Sequence, residues 1–243
     1  MNAGCGPLVG ILRTNAIGVS FPESRVCAEY CVLCLNISYV NHSCVPNSIY
    51  SLDKSTMIFS LRAIRDIAPG EEISITYLGN DETSTVRKAE LQNKYGFICS
   101  CILCSAPTDA IVASDERRKF IKATNSFIKH MWQGWLKIAP EARRAQATQN
   151  AETVEKLLQA MDKENIHIGR MDVMQKCVYM YAVLCDVKNF KKWARRCLKV
   201  AREKEHSDVK DWEGWLKDPT SFPLWDLWKI EVANFMRQSS VRC

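Results

Sequence analysis

The stretch Asn41–Asn47, NHSCVPN, places a polar Asn-His-Ser-Cys cluster between two apolar segments, ISYV before it and SIYSL after it. A chain that links two apolar segments is expected to pass through a core, where buried polar atoms need hydrogen-bond partners. A ligand or a metal ion can be such a partner. The stretch is therefore the first candidate for a functional site.

A second cluster of cysteines follows, Cys99, Cys101 and Cys104 in CSCILC. Together with Cys44, these thiols make up the four sulfur ligands of a closed, structural zinc site. The alternative is that they are buried core thiols, because free cysteine packs as a small hydrophobic residue. Polar serines beside the cluster favour the metal site.

The segment between the two clusters predicts strands and then a helix. SIYSL and TMIFSLRAI, on either side of DKS, predict a hairpin, and PGEEISITY predicts a turn, a third strand and a terminal Tyr77. DETSTVRKAELQNKYG predicts a helix that Asp81 or Thr83 caps and Gly96 ends.

Composition indicates a globular, soluble, intracellular protein. The chain has 243 residues, of which 47% are hydrophobic and 25% charged. Its longest apolar run, Tyr30–Leu35, is far shorter than the roughly 20 residues of a membrane span. The 12 cysteines are interpreted as reduced thiols with some zinc, because so long a chain does not need disulfide staples.

The composition changes near Pro107, which predicts two domains, 1–107 and 108–243. The first has 8 Lys+Arg and 9 Asp+Glu, whereas the second has 25 and 18 and contains all 7 tryptophans. The basic residues of the second part are spread among acidic ones, which favours a solvated surface over a nucleic-acid site.

The second part is predicted to be helical, with apolar residues three and four apart. The stripes from Phe190 and from Met174 flank a tight turn near Asn189, which predicts a helical hairpin of tetratricopeptide-like type. The aromatic tail from Asp211 is expected to pack across the helices. The first stripe contains Phe120, Ile121, Thr124, Phe127, Ile128, Met131, Trp132 and Trp135.

A further group of cysteines, Cys27, Cys31 and Cys34, lies in the apolar stretch VCAEYCVLCLNISYV. Their spacing suits a metal, but no fourth ligand is evident, so core packing is the preferred interpretation. Periodicity does not decide between helix and strand for this stretch.

In this order, NHSC, GEE with its terminal tyrosine, and CxCxxC resemble the C-terminal half of a SET-domain protein lysine methyltransferase, of the SET-MYND (SMYD-like) subfamily. The resemblance covers about residues 14–107. It implies an α+β protein, a partial SET-type β fold with a zinc-bound post-SET segment, followed by an all-α helical domain.

The resemblance also implies roles for individual residues. Ser38, Asn41, His42 and Phe97 correspond to contacts of S-adenosylmethionine, and Tyr77 borders the methyl-transfer site. Tyr95 and Tyr77 line the lysine channel in this comparison. The implied structural zinc ligands are Cys44, Cys99, Cys101 and Cys104.

The implied function is S-adenosylmethionine-dependent methylation of a protein lysine, such as one in a histone tail, in the cytoplasm or nucleus. The glycine-rich segment with which a SET domain begins is absent ahead of the matching residues, so a truncated enzyme is expected. The alternative is a catalytically inactive, zinc-stapled domain whose helical part binds a protein partner. Whether the chain is active stays open at this stage.

Overall fold

The computed structural model describes residues 7–20, 29–53, 56–79, 81–135, 138, 140–203 and 208–225. Among these residues, no helix has both the length and the hydrophobicity to cross a membrane. The strands are β1 Ala16–Ser20, β2 Glu29–Leu33, β3 Asn41–His42, β4 Ser48–Asp53, β5 Ile58–Ala63 and β6 Ser74–Ile75. The helices are α1 Pro7–Asn15, α2 Leu35–Ser38, α3 Ser84–Tyr95, α4 Thr108–Trp135, α5 Pro140–Lys163, α6 Arg170–Val183, α7 Val187–Glu203 and α8 Val209–Lys217, followed by a 3₁₀ turn, Pro219–Ser221.

The chain divides into two compact units, Met1–Glu116 and Arg117–Cys243. The division falls within α4, so the boundary predicted at residue 107 stays a prediction. The first unit mixes strands and helices, and the described part of the second is helical. The predicted mixture of α and β structure is confirmed, whereas the tetratricopeptide-like character of the helices stays a prediction.

The strands of the first unit form three pairs. β1 and β2 are antiparallel, and β4 and β5 form the predicted antiparallel hairpin. The third predicted strand is only Ser74–Ile75 and pairs in parallel with β3, which brings Asn41 opposite Ser74. This parallel pairing places the NHSC motif beside the strand that follows the GEE segment.

Asn47, the last residue of the motif, strengthens that contact and is only 1% exposed. Its amide nitrogen donates to the backbone oxygen of Glu72 at 2.8 Å and to Glu71 Oε1 at 3.0 Å. Its amide oxygen accepts from the Ser74 N–H at 2.9 Å. A buried amide with these partners holds the two segments together as a backbone ladder would.

Helix α3 ends at Gly96 as predicted, because glycine readily adopts the left-handed φ of 77° found there. Thr83 occupies the N-cap position as predicted, but its side chain makes no capping hydrogen bond. The Asp115 carboxylate instead accepts from the Ser84 N–H at 2.7 Å and from Ser84 Oγ at 2.6 Å. A carboxylate at a helix N-terminus is favourable because of the helix dipole.

Part of the cysteine stretch differs from expectation. Cys31 lies in β2 and is exposed, so the prediction that it packs in the core is wrong. Cys34 precedes the short helix α2 and is half-buried. Cys27 lies outside the described residues.

The second unit buries its apolar stripes in a core built from α4 to α8. Ile121 and Ile128 of the predicted first stripe are buried, whereas Phe120 and Phe127 are 40% and 50% exposed. The α6–α7 connection turns at Cys185, where φ is 57°. The aromatic tail packs through Phe222, which is 5% exposed. Its ring meets the Phe190 ring edge to face, with 5.3 Å between the ring centroids. Residues 226–228 of that tail lie outside the described residues.

A buried ion pair stabilises the second unit. Glu164, whose side chain is 2% exposed, accepts from Arg118 Nε at 2.9 Å and from Arg117 Nε at 2.5 Å. We expect Glu164→Gln to lower the free energy of unfolding by about 3–5 kcal/mol, because it removes the carboxylate charge that pairs with a buried guanidinium. Chemical denaturation followed by circular dichroism measures this change.

The matched control is Glu213→Gln, which breaks the exposed pair with Arg202 in the same unit. Exposed ion pairs contribute little to stability because water and salt screen them, so the effect of this substitution should be small. Equal effects of the two substitutions would contradict the prediction.

Candidate functional site

A cavity of about 630 Å³ lies in the first unit, beside the NHSC motif. Nearly all the residues predicted to bind the cofactor or substrate line it: Asn41, His42, Tyr77, Tyr95 and Phe97. Ser38 is the exception, because its hydroxyl donates to the Leu35 oxygen at 2.9 Å and it lines a smaller cavity. The motifs that are distant in sequence therefore meet around one cavity.

Asn41 reaches this cavity from β3. Its side-chain nitrogen donates to Glu72 Oε1 at 2.6 Å, which leaves its amide oxygen as an acceptor. The neighbouring Glu71 pairs with Arg65, and this pair holds the pKa of Glu71 down to about 2. Glu72 contributes a carboxylate to the cavity wall.

His42 has both ring nitrogens engaged within the protein. Its Nδ1 accepts from the Tyr77 N–H at 3.0 Å, and its Nε2 lies 3.3 Å from Cys44 Sγ. Burial lowers the pKa of His42 to about 4, so the ring is neutral at pH 7 and its proton is on Nε2. The ring thus connects Tyr77, which follows β6, to the cysteine cluster. Because both ring nitrogens are engaged, a bound ligand would contact the His42 backbone.

Aromatic side chains form one wall of the cavity. The Tyr77 ring lies 5.0 Å from Tyr95, 5.3 Å from His42 and 6.4 Å from Phe97, measured between ring centroids. These separations suit tilted and edge-to-face packing, which holds the rings rigidly. Tyr95 ends α3 and Phe97 follows Gly96, so the left-handed turn at Gly96 separates these two rings in the chain.

The Tyr77 hydroxyl donates to the backbone oxygen of Val40 at 2.8 Å. Burial, with a contribution from Tyr95, raises the pKa of Tyr77, so the phenol keeps its proton at pH 7. Because the hydroxyl proton is used in the hydrogen bond to Val40, the lone pairs of the Tyr77 oxygen can accept a hydrogen bond from another group. The geometry suits an orienting acceptor and does not suit a base.

The smaller cavity, of about 120 Å³, also contacts Tyr77 and Tyr95. Its other walls include the aromatic Tyr50 and the aliphatic residues Ile37 and Ile75, which are 5% and 4% exposed. Tyr77 and Tyr95 therefore line both cavities.

The four predicted metal ligands meet at one point. The Sγ atoms of Cys44, Cys99, Cys101 and Cys104 all lie within 4.8 Å of one another, and those of Cys44 and Cys104 are 3.6 Å apart. A tetrahedral zinc ion, with metal–sulfur distances of about 2.3 Å, places its sulfurs roughly 3.8 Å apart. The cluster fits zinc in ligand type, number and spacing.

The pKa values of three of these thiols are shifted, and not all in the same direction. A hydrogen bond with Cys101 is the largest cause that raises the pKa of Cys44, and burial raises the pKa of Cys99 to about 11. Hydrogen bonds with Cys104 and Cys44 lower the pKa of Cys101. A metal ion must displace protons from Cys44 and Cys99, so its affinity should rise with pH.

Several residues of the site had not been singled out from the sequence. Glu72 and Asn47 lie within the GEE and NHSC stretches, and their position there is the signal that would have found them. Tyr50 and Arg87 carry no such signal, because each is part of an ordinary strand or helix pattern. Arg87 is 2% exposed and lies beside the cysteine cluster.

Comparison with known proteins agrees with this geometry. The SET domain family model matches residues 15–78. Protein-lysine N-trimethyltransferase SMYD5 of Danio rerio is 42% identical over 83 residues, which are 32% of this chain and 20% of the relative. Histone-lysine N-methyltransferase SMYD3 of Homo sapiens is 32% identical over 103 residues, which are 41% of this chain and 24% of the relative.

A yeast relative extends the comparison. Histone-lysine N-methyltransferase set5 of Schizosaccharomyces pombe is 32% identical over 115 residues, which are 47% of this chain and 34% of the relative. The chain thus spans about a fifth to a third of the length of these curated relatives. The resemblance predicted from the motifs is confirmed: residues 15–78 match the SET domain, and the chain is similar over part of its length to protein-lysine methyltransferases of the SET-MYND type.

Proposed function

We propose that this protein is an S-adenosylmethionine-dependent protein-lysine N-methyltransferase. The observation that carries the proposal is that Tyr77 and Tyr95 line two cavities, a larger one beside the NHSC motif and a smaller, more enclosed one. Because both cavities border the same aromatic pair, a methyl donor in one would lie next to an amine in the other.

The larger cavity suits the donor. Its volume of about 630 Å³ lies within the range of about 300–1,000 Å³ typical of small-molecule sites. S-adenosylmethionine supplies a methyl group on a positively charged sulfonium and also carries an ammonium group. The Asn41 amide oxygen and the Glu72 carboxylate offer acceptors and negative charge to such groups.

The smaller cavity suits the lysine side chain. Ile37, Ile75 and Tyr50 provide apolar walls for its methylene groups. An apolar environment also lowers the pKa of an amine, which helps to supply the neutral nucleophile. Aromatic walls favour a methylammonium product through cation–π attraction.

Methyl transfer is a direct displacement. The lysine nitrogen forms a bond to the methyl carbon, the carbon–sulfur bond breaks with its electron pair going to sulfur, and the amine proton leaves to water. Tyr77 contributes by accepting a hydrogen bond from the amine, because its hydroxyl already donates its own hydrogen bond to the Val40 backbone oxygen. The alignment of amine and methyl group is the main catalytic contribution of such a site.

Zinc, in this proposal, is structural. Cys44, Cys99, Cys101 and Cys104 fill all four positions with sulfur, which leaves no open position for a substrate. They would tie the segment that carries Phe97 to the NHSC loop and so hold one wall of the larger cavity.

The substrate class is a protein lysine, such as one in a histone tail, and the proposed location is the cytoplasm or nucleus. The names of the relatives support a protein substrate. The helical second unit is proposed to bind a protein partner.

Calorimetric titration of S-adenosylmethionine into the full chain tests the proposal. We expect one bound molecule, and we expect Asn41→Ala to weaken binding by about 10- to 100-fold, because a hydrogen bond to a charged group contributes about 1.5–3 kcal/mol. The matched control is Asn93→Ala on the exposed face of α3, which should bind as the parent does. Absence of binding to the parent would refute the proposal and favour the inactive, zinc-stapled interaction domain.

A further inference from the structure

Arg87 is a fully buried cation beside the cysteine cluster. Arg87 is 2% exposed and lies in α3. Leu91, one turn further along the same helix, is 0% exposed and packs with Cys44 and Cys99. Arginine keeps its charge in proteins, and placing a charge in a buried site costs several kcal/mol unless a counter-charge is present. A compensating negative group is therefore required nearby.

The partners within α3 and α4 satisfy only part of the guanidinium. Arg87 Nη1 donates to the backbone oxygen of Glu82 at 2.6 Å. The Asp115 carboxylate forms an ion pair with Nη1 at 3.9 Å, which is too long for a hydrogen bond, and its oxygens already accept from Ser84. Arg87 Nε and Nη2 are buried and have no hydrogen-bond partner. Unsatisfied donors of this kind cost about 1–3 kcal/mol each.

Among the described residues, the cysteine cluster is a second source of negative charge beside Arg87, in addition to Asp115. Arg87 lies close enough to the sulfurs of Cys44 and Cys104 to interact electrostatically with both. Four thiolates around one Zn²⁺ carry a net charge of two minus, a charge that the surrounding apolar residues, such as Leu78 and Leu91, do not offset.

We infer that Arg87 is the positioning residue of the metal centre: its guanidinium supplies the counter-charge of the zinc–thiolate group, and its unpartnered N–H groups donate to the ligand sulfurs. The inference rests on the zinc site of the proposed function. Groups that hydrogen-bond to metal ligands orient them and tune the affinity for the metal. Because α3 ends at Tyr95, the same contact also ties the aromatic wall of the cavity to the metal centre.

The test compares zinc affinity in the full chain by competition with a chromophoric chelator. We expect Arg87→Met, which keeps the length of the side chain and removes the charge, to weaken zinc binding by about 10- to 100-fold. Arg87→Lys keeps a positive charge and should recover part of the loss; it also serves as the second variant if Arg87→Met does not fold. The charge-transfer absorption of the Co²⁺-substituted protein should shift in both variants, because the hydrogen bonds to sulfur change.

The matched control is Arg118→Met, which removes an equally buried, ion-paired arginine from the second unit. It should reduce stability without changing zinc affinity or the Co²⁺ spectrum. Parent-like zinc affinity in Arg87→Met, or an equal loss in Arg118→Met, overturns the inference while leaving the zinc site intact. A parent chain that binds no zinc refutes the metal centre itself.

Discussion

Replacement of Cys44 with serine is expected to abolish zinc binding and to destabilise the segment from Phe97 to Cys104. Cys44 is the ligand that comes from the NHSC loop, so its loss separates the loop from the other three sulfurs. Structural zinc contributes about 10–16 kcal/mol in zinc-finger peptides, and most of this is expected to be lost with one ligand of four. Native mass spectrometry should find one zinc ion in the parent and none in the variant.

Cys31→Ser is the matched control, because Cys31 is an exposed thiol of the same unit that lies outside the cluster. It should retain its zinc and the thermal stability of the parent. Equal zinc content in Cys44→Ser and in the parent would exclude Cys44 as a ligand.

Tyr77→Phe is expected to slow methyl transfer by about 10²- to 10³-fold, the usual consequence of removing one oriented polar group from an active site. The substitution preserves the ring contacts with Tyr95 and Phe97 but removes the oxygen that would accept from the amine. It also removes the hydrogen bond to Val40, so stability should fall by about 0.5–1.5 kcal/mol. Single-turnover methylation of mixed core histones with labelled S-adenosylmethionine measures the rate.

The control for this experiment is Tyr39→Phe, an 84% exposed tyrosine that lies next to Val40 in the chain. Its rate should equal that of the parent. A Tyr77→Phe variant with an unchanged rate and unchanged cofactor affinity would remove Tyr77 from the mechanism and leave its hydroxyl with a purely structural role.

Local patterns in the sequence predicted some elements well. The hairpin β4–β5 follows from two apolar segments around a polar turn, and the end of α3 follows from Gly96, because both depend on neighbouring residues only. Sequence patterns failed to predict burial where it depends on residues that are distant in the chain. Cys31 looked like a core residue in an apolar stretch, yet its side of β2 is exposed.

From the sequence, residue type and spacing identified four thiols as a candidate metal site, and the resemblance to SET-domain proteins identified the aromatic residues that line the cavity. Only the tertiary structure decided that Ser38 lies at the smaller cavity, that His42 connects Tyr77 to Cys44, and that Arg87 is buried beside the sulfurs. The physical reason is that these arrangements depend on non-local contacts, namely the parallel pairing of β3 with β6 and the packing of α3 on the cysteine cluster. In an isolated helix an arginine is a surface residue, and only its neighbours in the fold make it the counter-charge of a buried site.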